Sequence, residues 1–159
     1  MTEAGITRIG TVKSAVGMGV LLSEGLGDTL RVSLTGDPVE EVKVGWDILQ
    51  SLELRRRGPN VISCPSCGRC AIDVVPLAIQ VNEAVGNIKH PVSIAVMGCE
   101  VNGPGEAKSA DYGIAGGDGI SLIFKKGVQV ARVKPDEQLS ALMKVINDDL
   151  ENSPAPTES

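Results

Sequence analysis

The spacing of the cysteines constrains this chain more than any other feature. The stretch CPSCGRC places Cys64, Cys67 and Cys70 at three-residue intervals, and Cys99 lies in the glycine-rich stretch MGCEVNGPGEAK. Two thiolates separated by two residues can turn toward one centre, and zinc knuckles, redox dithiols and iron-sulfur ligands all use this spacing. We expect a cytoplasmic protein, in which four cysteines indicate metal or redox chemistry more than disulfide bonds.

Composition argues against two broad classes of partner. The chain has 15 lysines and arginines against 20 aspartates and glutamates, and nothing in it makes a long basic face. A general nucleic-acid binder is therefore not expected. No apolar run is long enough to cross a bilayer, so no membrane partner is expected either. Aromatic residues make up 2% of the chain, so aliphatic side chains must fill the core.

The amino-terminal part predicts a helix, a strand and a second helix. Apolar residues at helical spacing indicate a first helix that ends near Gly25. Its buried stripe would consist of Val12, Ala15, Val16, Gly19 and Leu22. Asp37 is expected to cap the second helix, with Pro38 at its first position and Glu40 completing a capping box. The buried stripe of that helix would consist of Val39, Val42, Trp46, Leu49 and Leu52.

The predicted strand between these helices has one apolar and one polar face. Side chains alternate across a strand, so the apolar face would carry Leu30, Val32 and Leu34. The polar face would carry Thr29, Arg31, Ser33 and Thr35. One explanation is an edge strand whose polar face contacts water. The other is a ligand cavity in which Arg31 and Ser33 bind an anion.

The sequence after a predicted linker at residues 58–60 indicates an α+β domain. Strands are predicted at Val61–Ser63, Val92–Val96, Ile120–Phe124 and Val128–Val133, the last two forming a hairpin. One helix is predicted from the stripe Val74, Leu77, Ala78, Val81 and Val85. A final helix is predicted from the stripe Leu139, Leu142, Met143, Ile146 and Leu150. Residues 152–159 are expected to be a disordered tail.

The cysteines leave two ligand sets open. With Cys70 included, four thiolates could hold zinc or an all-cysteine cluster for electron transfer, although Cys99 lacks the neighbouring ligand of a zinc knuckle. The other set is Cys64, Cys67, Cys99 and Glu106. In that set a carboxylate holds one iron through a harder, more exchangeable bond, and that iron could accept a substrate oxygen as a Lewis acid. A regulatory protein without a cluster is a third possibility.

Two motifs resemble one enzyme family. SCPSCGR followed by MGCEVNGPGE is similar to the carboxy-terminal half of the 4-hydroxy-3-methylbut-2-enyl diphosphate synthases, the IspG/GcpE family of the methylerythritol phosphate route to isoprenoids. The likeness extends through TEAG, VKSAVGMGVLLSEGLGDTLRVSLT and DPVEEVKVGWDIL. It implies an α/β fold, with the end of a (β/α)8 barrel at residues 1–57. Residues 58–151 would form an α+β iron-sulfur domain resembling the cluster domain of sulfite and nitrite reductases.

The resemblance also implies a cofactor and its ligands. The cofactor is a 4Fe-4S cluster, and its ligands in the family fall on Cys64, Cys67, Cys99 and Glu106. Glu106 would give up its iron site when the substrate oxygen arrives. Asn102 would shape the mouth of the cluster site. Cys70 departs from the residues typical of its position, which supports leaving it out of the ligand set.

The implied reaction is a two-electron reductive ring opening. The substrate, 2-C-methyl-D-erythritol 2,4-cyclodiphosphate, would lose water to give 4-hydroxy-3-methylbut-2-enyl diphosphate, with contacts from Glu3, Arg31 and Ser33. Reduced flavodoxin or ferredoxin would supply electrons, and in the family's homodimer one cluster domain covers the partner's barrel. Because most of the barrel has no counterpart here, we expect Met1 to be an internal methionine or an artificial start. The fragment should then show little activity alone.

Overall fold

The computed structural model describes residues 5–99, 105 and 109–151. The chain divides into two compact units, Met1–Arg57 and Gly58–Ser159. Among the described residues, no helix combines the length and the apolar character needed to cross a membrane.

Two helices form the framework of the amino-terminal unit. α1 spans Thr7–Ser23 and α2 spans Pro38–Ser51. The predicted cap of α2 is confirmed, because the Asp37 side chain accepts a hydrogen bond of 2.9 Å from the backbone N–H of Val39, and Pro38 occupies the first turn. The predicted capping box is not seen. The Glu40 carboxylate instead accepts a 2.7 Å hydrogen bond from Lys43, one turn further along the helix.

The prediction of a strand at residues 29–35 is wrong. Its one bridge joins Ile6 and Thr35, and the described residues of this unit contain no strand. A strand needs a neighbouring backbone, whereas this segment packs against the two helices. The predicted alternation of side chains nevertheless holds. Val32 and Leu34 are buried, Arg31 is exposed and Ser33 is half-buried.

The predicted buried stripes are confirmed only in part, since Ala15, Leu22 and Leu52 pack against the apolar core of this unit but other predicted residues are exposed. Val12 and Val16 of α1 are 57% and 65% exposed, and the same error applies to Val39 and Val42 of α2. Both helices carry apolar residues on more than one face, so periodicity could not identify the packed face. The packed face of α1 is instead the one whose small residues allow neighbouring side chains to come close. A Cβ at Gly10 would lie 2.7 Å from Leu34 Cδ2, which shows how tightly the small-residue face of α1 packs.

The carboxy-terminal unit contains a five-stranded mixed sheet. Its strands are β1 (Asn60–Ser63), β2 (Ser93–Met97), β3 (Tyr112–Gly116), β4 (Ser121–Lys125) and β5 (Val128–Val133), in that spatial order. β1, β2 and β3 pair in parallel, while β4 and β5 are antiparallel to their neighbours. The predicted hairpin of β4 and β5 is confirmed. Lys126 and Gly127 connect it with φ values of 48° and 76°, as a two-residue hairpin turn requires.

Two helices cover one face of this sheet. α3 spans Val74–Val85 and α4 spans Gln138–Leu150, which confirms both predicted helices. The core on this face consists of Val74, Leu77, Val81, Val85, Ile94, Val96, Tyr112, Ile114, Ile123, Leu142 and Ile146. A smaller cluster consists of Ala95, Met97, Ala110, Ala115 and Phe124. Since side chains alternate along β2, these two sets bury both faces of that strand.

A polar network connects the end of α4 to the sheet. Tyr112 donates a 2.7 Å hydrogen bond to one oxygen of Asp149, and Lys125 contacts the other oxygen at 2.6 Å. Lys125 and then Tyr112 lower the pKa of the Asp149 carboxyl, because both stabilise its charged form. Burial, together with the Asp149 hydrogen bond, raises the pKa of the Tyr112 phenol. The network thus fixes α4 to β3 and β4.

We expect Asp149→Asn to lower the unfolding free energy of the carboxy-terminal unit by about 1 kcal/mol at neutral pH, because a charged hydrogen-bond acceptor is lost. The Asp149 pKa is depressed in the folded chain, so its contribution is present above the unfolded value and disappears as pH falls through the folded value. Urea denaturation at several pH values measures the unfolding free energy of both chains and how their difference changes with pH. Asp118→Asn, at an exposed position, is the control. Equal losses in both variants would contradict the role of the network.

Candidate metal centre

The parallel pairing of β1 and β2 brings the cysteine-bearing segments to one edge of the sheet. Ser63 pairs with Val96, and Cys64 follows β1 directly. The backbone N–H of Cys64 donates to the carbonyl of Val96 at 3.2 Å, which extends the ladder by one residue. Cys99 lies two residues beyond the end of β2. Both segments therefore leave the sheet at the carboxyl ends of adjacent strands.

The backbone of Gly98 holds the sulfur of Cys64. The Gly98 N–H donates to Cys64 Sγ at 3.2 Å. Cys64 is half-buried and packs against the apolar clusters on both faces of the sheet. Backbone N–H groups that donate to ligand sulfurs adjust the reduction potential of iron-sulfur clusters. The fold thus fixes the position of the Cys64 sulfur at the edge of the sheet.

Cys67 and Cys70 lie at the two ends of one turn. The N–H of Cys70 donates to the carbonyl of Cys67 at 3.0 Å, and the N–H of Cys67 donates to Cys70 Sγ at 3.5 Å. Cys67 is exposed, Cys70 is half-buried and Cys99 is buried. Within the CPSCGRC stretch, Cys67 is therefore more exposed than Cys64 and Cys70, which are both half-buried.

Two glycines allow the strand ends to approach the cysteine loop. A Cβ at Gly98 would lie 2.5 Å from Cys70 Sγ and 3.6 Å from Cys64 Sγ. A Cβ at Gly116, at the end of β3, would lie 2.6 Å from Ile72 and 2.9 Å from the Gly98 carbonyl. Neither glycine has a positive φ, so close contact rather than backbone conformation requires its small size. Sequence reasoning did not find the contact with Cys70.

The cysteines do not form a complete preassembled site. Within the residues that the structure describes, no three His, Cys, Asp or Glu side chains converge closely enough to hold a metal ion. The four cysteines, Cys70 included, therefore do not converge on one metal position in the described residues. Of the other predicted site residues, Glu106, Asn102 and Glu3 lie outside the described residues. The donor set fits an iron-sulfur cluster chemically, since three thiols that can ionise are located on neighbouring segments.

The two described residues predicted to bind substrate lie in the amino-terminal unit. Arg31 is exposed and Ser33 is half-buried, on the same side of the segment that follows α1. Arg31 lines a groove of about 310 Å³ with the Glu41 carboxylate and apolar side chains that include Trp46. Glu41 is held in place, because its carboxylate accepts a 2.8 Å hydrogen bond from the backbone of Leu34. The groove can offer a cation to an anionic ligand.

Two family models match this chain. The GcpE protein C-terminal domain matches residues 60–148, and the GcpE TIM-barrel domain matches residues 1–46. The chain belongs to the GcpE family. This confirms the family predicted from the two motifs. It also confirms the coarse fold prediction of a barrel-domain segment followed by a distinct mixed α/β domain.

Curated GcpE relatives share more than half of the matched residues. A protein of Brevibacillus brevis is 55% identical over 99% of this chain and 43% of its own length. Proteins of Lawsonia intracellularis and Caldanaerobacter subterraneus are each 58% identical over 92% of this chain and 41% of their own lengths. All three are named 4-hydroxy-3-methylbut-2-en-1-yl diphosphate synthase (flavodoxin). The chain spans about two fifths of the length of these relatives.

We expect Gly98→Ala to destabilise the carboxy-terminal unit by about 1–3 kcal/mol, because its Cβ would overlap Cys70 Sγ. Adding Cys70→Ala should restore much of this loss, since the clashing sulfur is removed. Gly68→Ala is the matched control, because a Cβ there meets nothing within 4 Å. Urea denaturation of these three variants and the unchanged chain tests the contact. A Gly98→Ala chain as stable as Gly68→Ala would show that the packing is looser than described.

Proposed function

We propose that this chain forms part of an iron-sulfur oxidoreductase that converts 2-C-methyl-D-erythritol 2,4-cyclodiphosphate to 4-hydroxy-3-methylbut-2-enyl diphosphate in isoprenoid biosynthesis. The observation that carries the proposal is the pairing of β1 and β2, which brings the segments of Cys64 and Cys99 to one edge of the sheet. The names of the relatives support the reaction, since each is called a diphosphate synthase.

The proposed ligands of a 4Fe-4S cluster are Cys64, Cys67, Cys99 and Glu106. When bound, the cluster would supply the electrons for the two-electron ring opening with loss of water. The Gly98 N–H would hold Cys64 Sγ in position, and hydrogen bonds to ligand sulfurs adjust the reduction potential of iron-sulfur clusters. Glu106 would provide an oxygen donor, which exchanges more readily than a thiolate. Asn102 would shape the opening of the site.

Substrate binding is proposed for the amino-terminal unit. The exposed Arg31 guanidinium would donate to the diphosphate oxygens, and the neighbouring Ser33 hydroxyl would add a further hydrogen bond. Glu3 would contribute from the first residues of the chain. Because Glu41 lines the same groove, it would repel a misplaced phosphate and favour binding close to Arg31. The substrate would then be oriented by charges of both signs.

The remaining parts of the proposal concern organisation and partners. Residues 1–57 would be the end of a (β/α)8 barrel, and residues 58–151 a cluster domain resembling that of sulfite and nitrite reductases. Reduced flavodoxin, named for the relatives, or ferredoxin would donate the electrons. The full-length protein would be a cytoplasmic homodimer in which each cluster domain covers the partner's barrel. This chain alone would then turn over substrate poorly.

Iron content distinguishes the proposed ligand set from the all-cysteine set. After anaerobic reconstitution, we expect Cys64→Ala, Cys67→Ala and Cys99→Ala to lose most bound iron, because each removes a thiolate ligand. Cys70→Ala should retain it. Glu106→Ala should keep sulfur-ligated iron but change one iron site in the Mössbauer spectrum. If Cys70→Ala strips the iron while Glu106→Ala leaves the spectrum unchanged, the chain is instead an electron-transfer module.

Activity tests the substrate assignment separately. The reconstituted chain would be supplied with reduced flavodoxin and the cyclic diphosphate, alone and fused to the part of the Brevibacillus brevis relative that precedes the matched region. We expect measurable product only in the fused protein, and an Arg31→Lys variant of it should raise KM by about tenfold, since lysine loses the bidentate phosphate contact. Asn60→Asp, at an exposed position, is the control. An unchanged KM in Arg31→Lys would remove Arg31 from the site.

A further inference from the structure

Cys70 has no role in the proposed ligand set, yet its side chain is held firmly. Its Sγ accepts the N–H of Cys67 at 3.5 Å and lies against Gly98, where a Cβ would come within 2.5 Å. Its side chain also packs against the core formed by the sheet and its two helices. A thiol held next to the backbone of another cysteine is placed to react with that cysteine.

The turn that contains Cys70 brings it close to Cys67. The hydrogen bond from the Cys70 N–H to the Cys67 carbonyl closes a four-residue turn. Turns of this kind bring their end Cα atoms within about 7 Å, and disulfides need a Cα separation of about 4.4–6.8 Å. Rotation of the exposed Cys67 side chain is the main adjustment needed, since Cys70 is already aimed at the Cys67 backbone.

Disulfides that involve Cys64 or Cys99 are less favoured than one between Cys67 and Cys70. Cys64 Sγ is held by the Gly98 N–H and packs against apolar clusters on both faces of the sheet. The Cys67 N–H is directed at Cys70 Sγ, so the Cys67 backbone faces Cys70. Cys99 is buried, so an oxidant in solution reaches it less readily than the exposed Cys67.

We propose that Cys67 and Cys70 form a reversible disulfide when no metal occupies the site. With hydrogen peroxide as oxidant, the Cys67 thiolate attacks one peroxide oxygen, which gives a sulfenic acid and releases one water after protonation. Cys70 sulfur then attacks the sulfenic sulfur, forms the S–S bond and releases a second water. The two thiols lose two electrons, and peroxide is reduced to two waters. A dithiol reductant reverses the bond by exchange.

The disulfide would withdraw Cys67 from metal binding. Its formation does not rest on the proposed function, because it needs only the two thiols and the turn. Its effect on iron uptake does rest on that function, so disulfide formation and iron uptake are measured in separate experiments. An oxidised chain should take up little iron until it has been reduced.

Tryptic mapping tests the pairing, because trypsin cleaves after Arg69, between the two cysteines. Cys64 and Cys67 fall in the peptide of residues 58–69, Cys70 in that of residues 70–89, and Cys99 in that of residues 90–108. The metal-free full chain is treated with peroxide, alkylated and digested. We expect peptides 58–69 and 70–89 joined, at about tenfold the yield of any other pairing because access favours Cys67, and separated by dithiothreitol.

Matched variants assign the bond. Cys64→Ser should retain the joined peptides and Cys67→Ser should lose them. The proposal would be overturned if Cys64→Ser lost the joined peptides and Cys67→Ser retained them. A bond within peptide 58–69, a bond to the Cys99 peptide, or no disulfide at all would also overturn it. If a variant fails to fold, fragmentation of the wild-type joined peptide by tandem mass spectrometry locates the bond at Cys64 or Cys67 directly. The same oxidation in denaturant shows whether the preference belongs to the folded chain.

Discussion

The parallel pairing of β1 and β2 is the constraint on which the candidate site depends. The register that aligns Ser63 with Val96 ends both strands at one edge, and the Cys64 backbone extends that register by one hydrogen bond. The position of the first cysteine therefore follows from main-chain pairing rather than from the loop after it. The Gly98 N–H, on the neighbouring strand's continuation, can reach Cys64 Sγ for the same reason. The sheet register therefore sets the positions of the candidate ligands Cys64 and Cys99 relative to each other.

Burial on both faces keeps β2 in this position. Ile94 and Val96 pack under α3 and α4, while Ala95 and Met97 belong to the cluster on the opposite face. A shift of one residue along the strand would exchange these two sets and place their different side-chain volumes in the wrong cores. The packing of these four apolar side chains therefore fixes where β2 ends, and with it the position of Cys99 two residues later.

The sequence predicted those elements whose patterns are local. α3, α4 and the hairpin were found because their apolar spacing and turn residues lie within short windows. β3 was missed, since YGIAG has small residues and no alternation, yet all five of its residues are buried. In the amino-terminal unit, the polar face of residues 29–35 was predicted correctly but the strand was not, because strand pairing depends on distant backbone.

For the candidate site, the motifs predicted the family and the candidate ligands but not the contacts among them. The hydrogen bond from Gly98 to Cys64 joins residues 34 positions apart, and the contact of Cys70 with Gly98 depends on the same register. Neither follows from spacing along the chain.

The Gly98 carbonyl lies where three segments meet. It accepts the Ala71 N–H at 2.8 Å, and Gly116 approaches it so closely that a methyl group there would be 2.9 Å away. The cysteine loop, the end of β2 and the end of β3 are thus fastened at one peptide group. A displacement of one of them would disturb its contact with the others, so the Gly98 peptide ties the position of the cysteine loop to the end of β2. If the proposed cluster binds here, a sulfur that is already held in place would lose less conformational entropy on ligation.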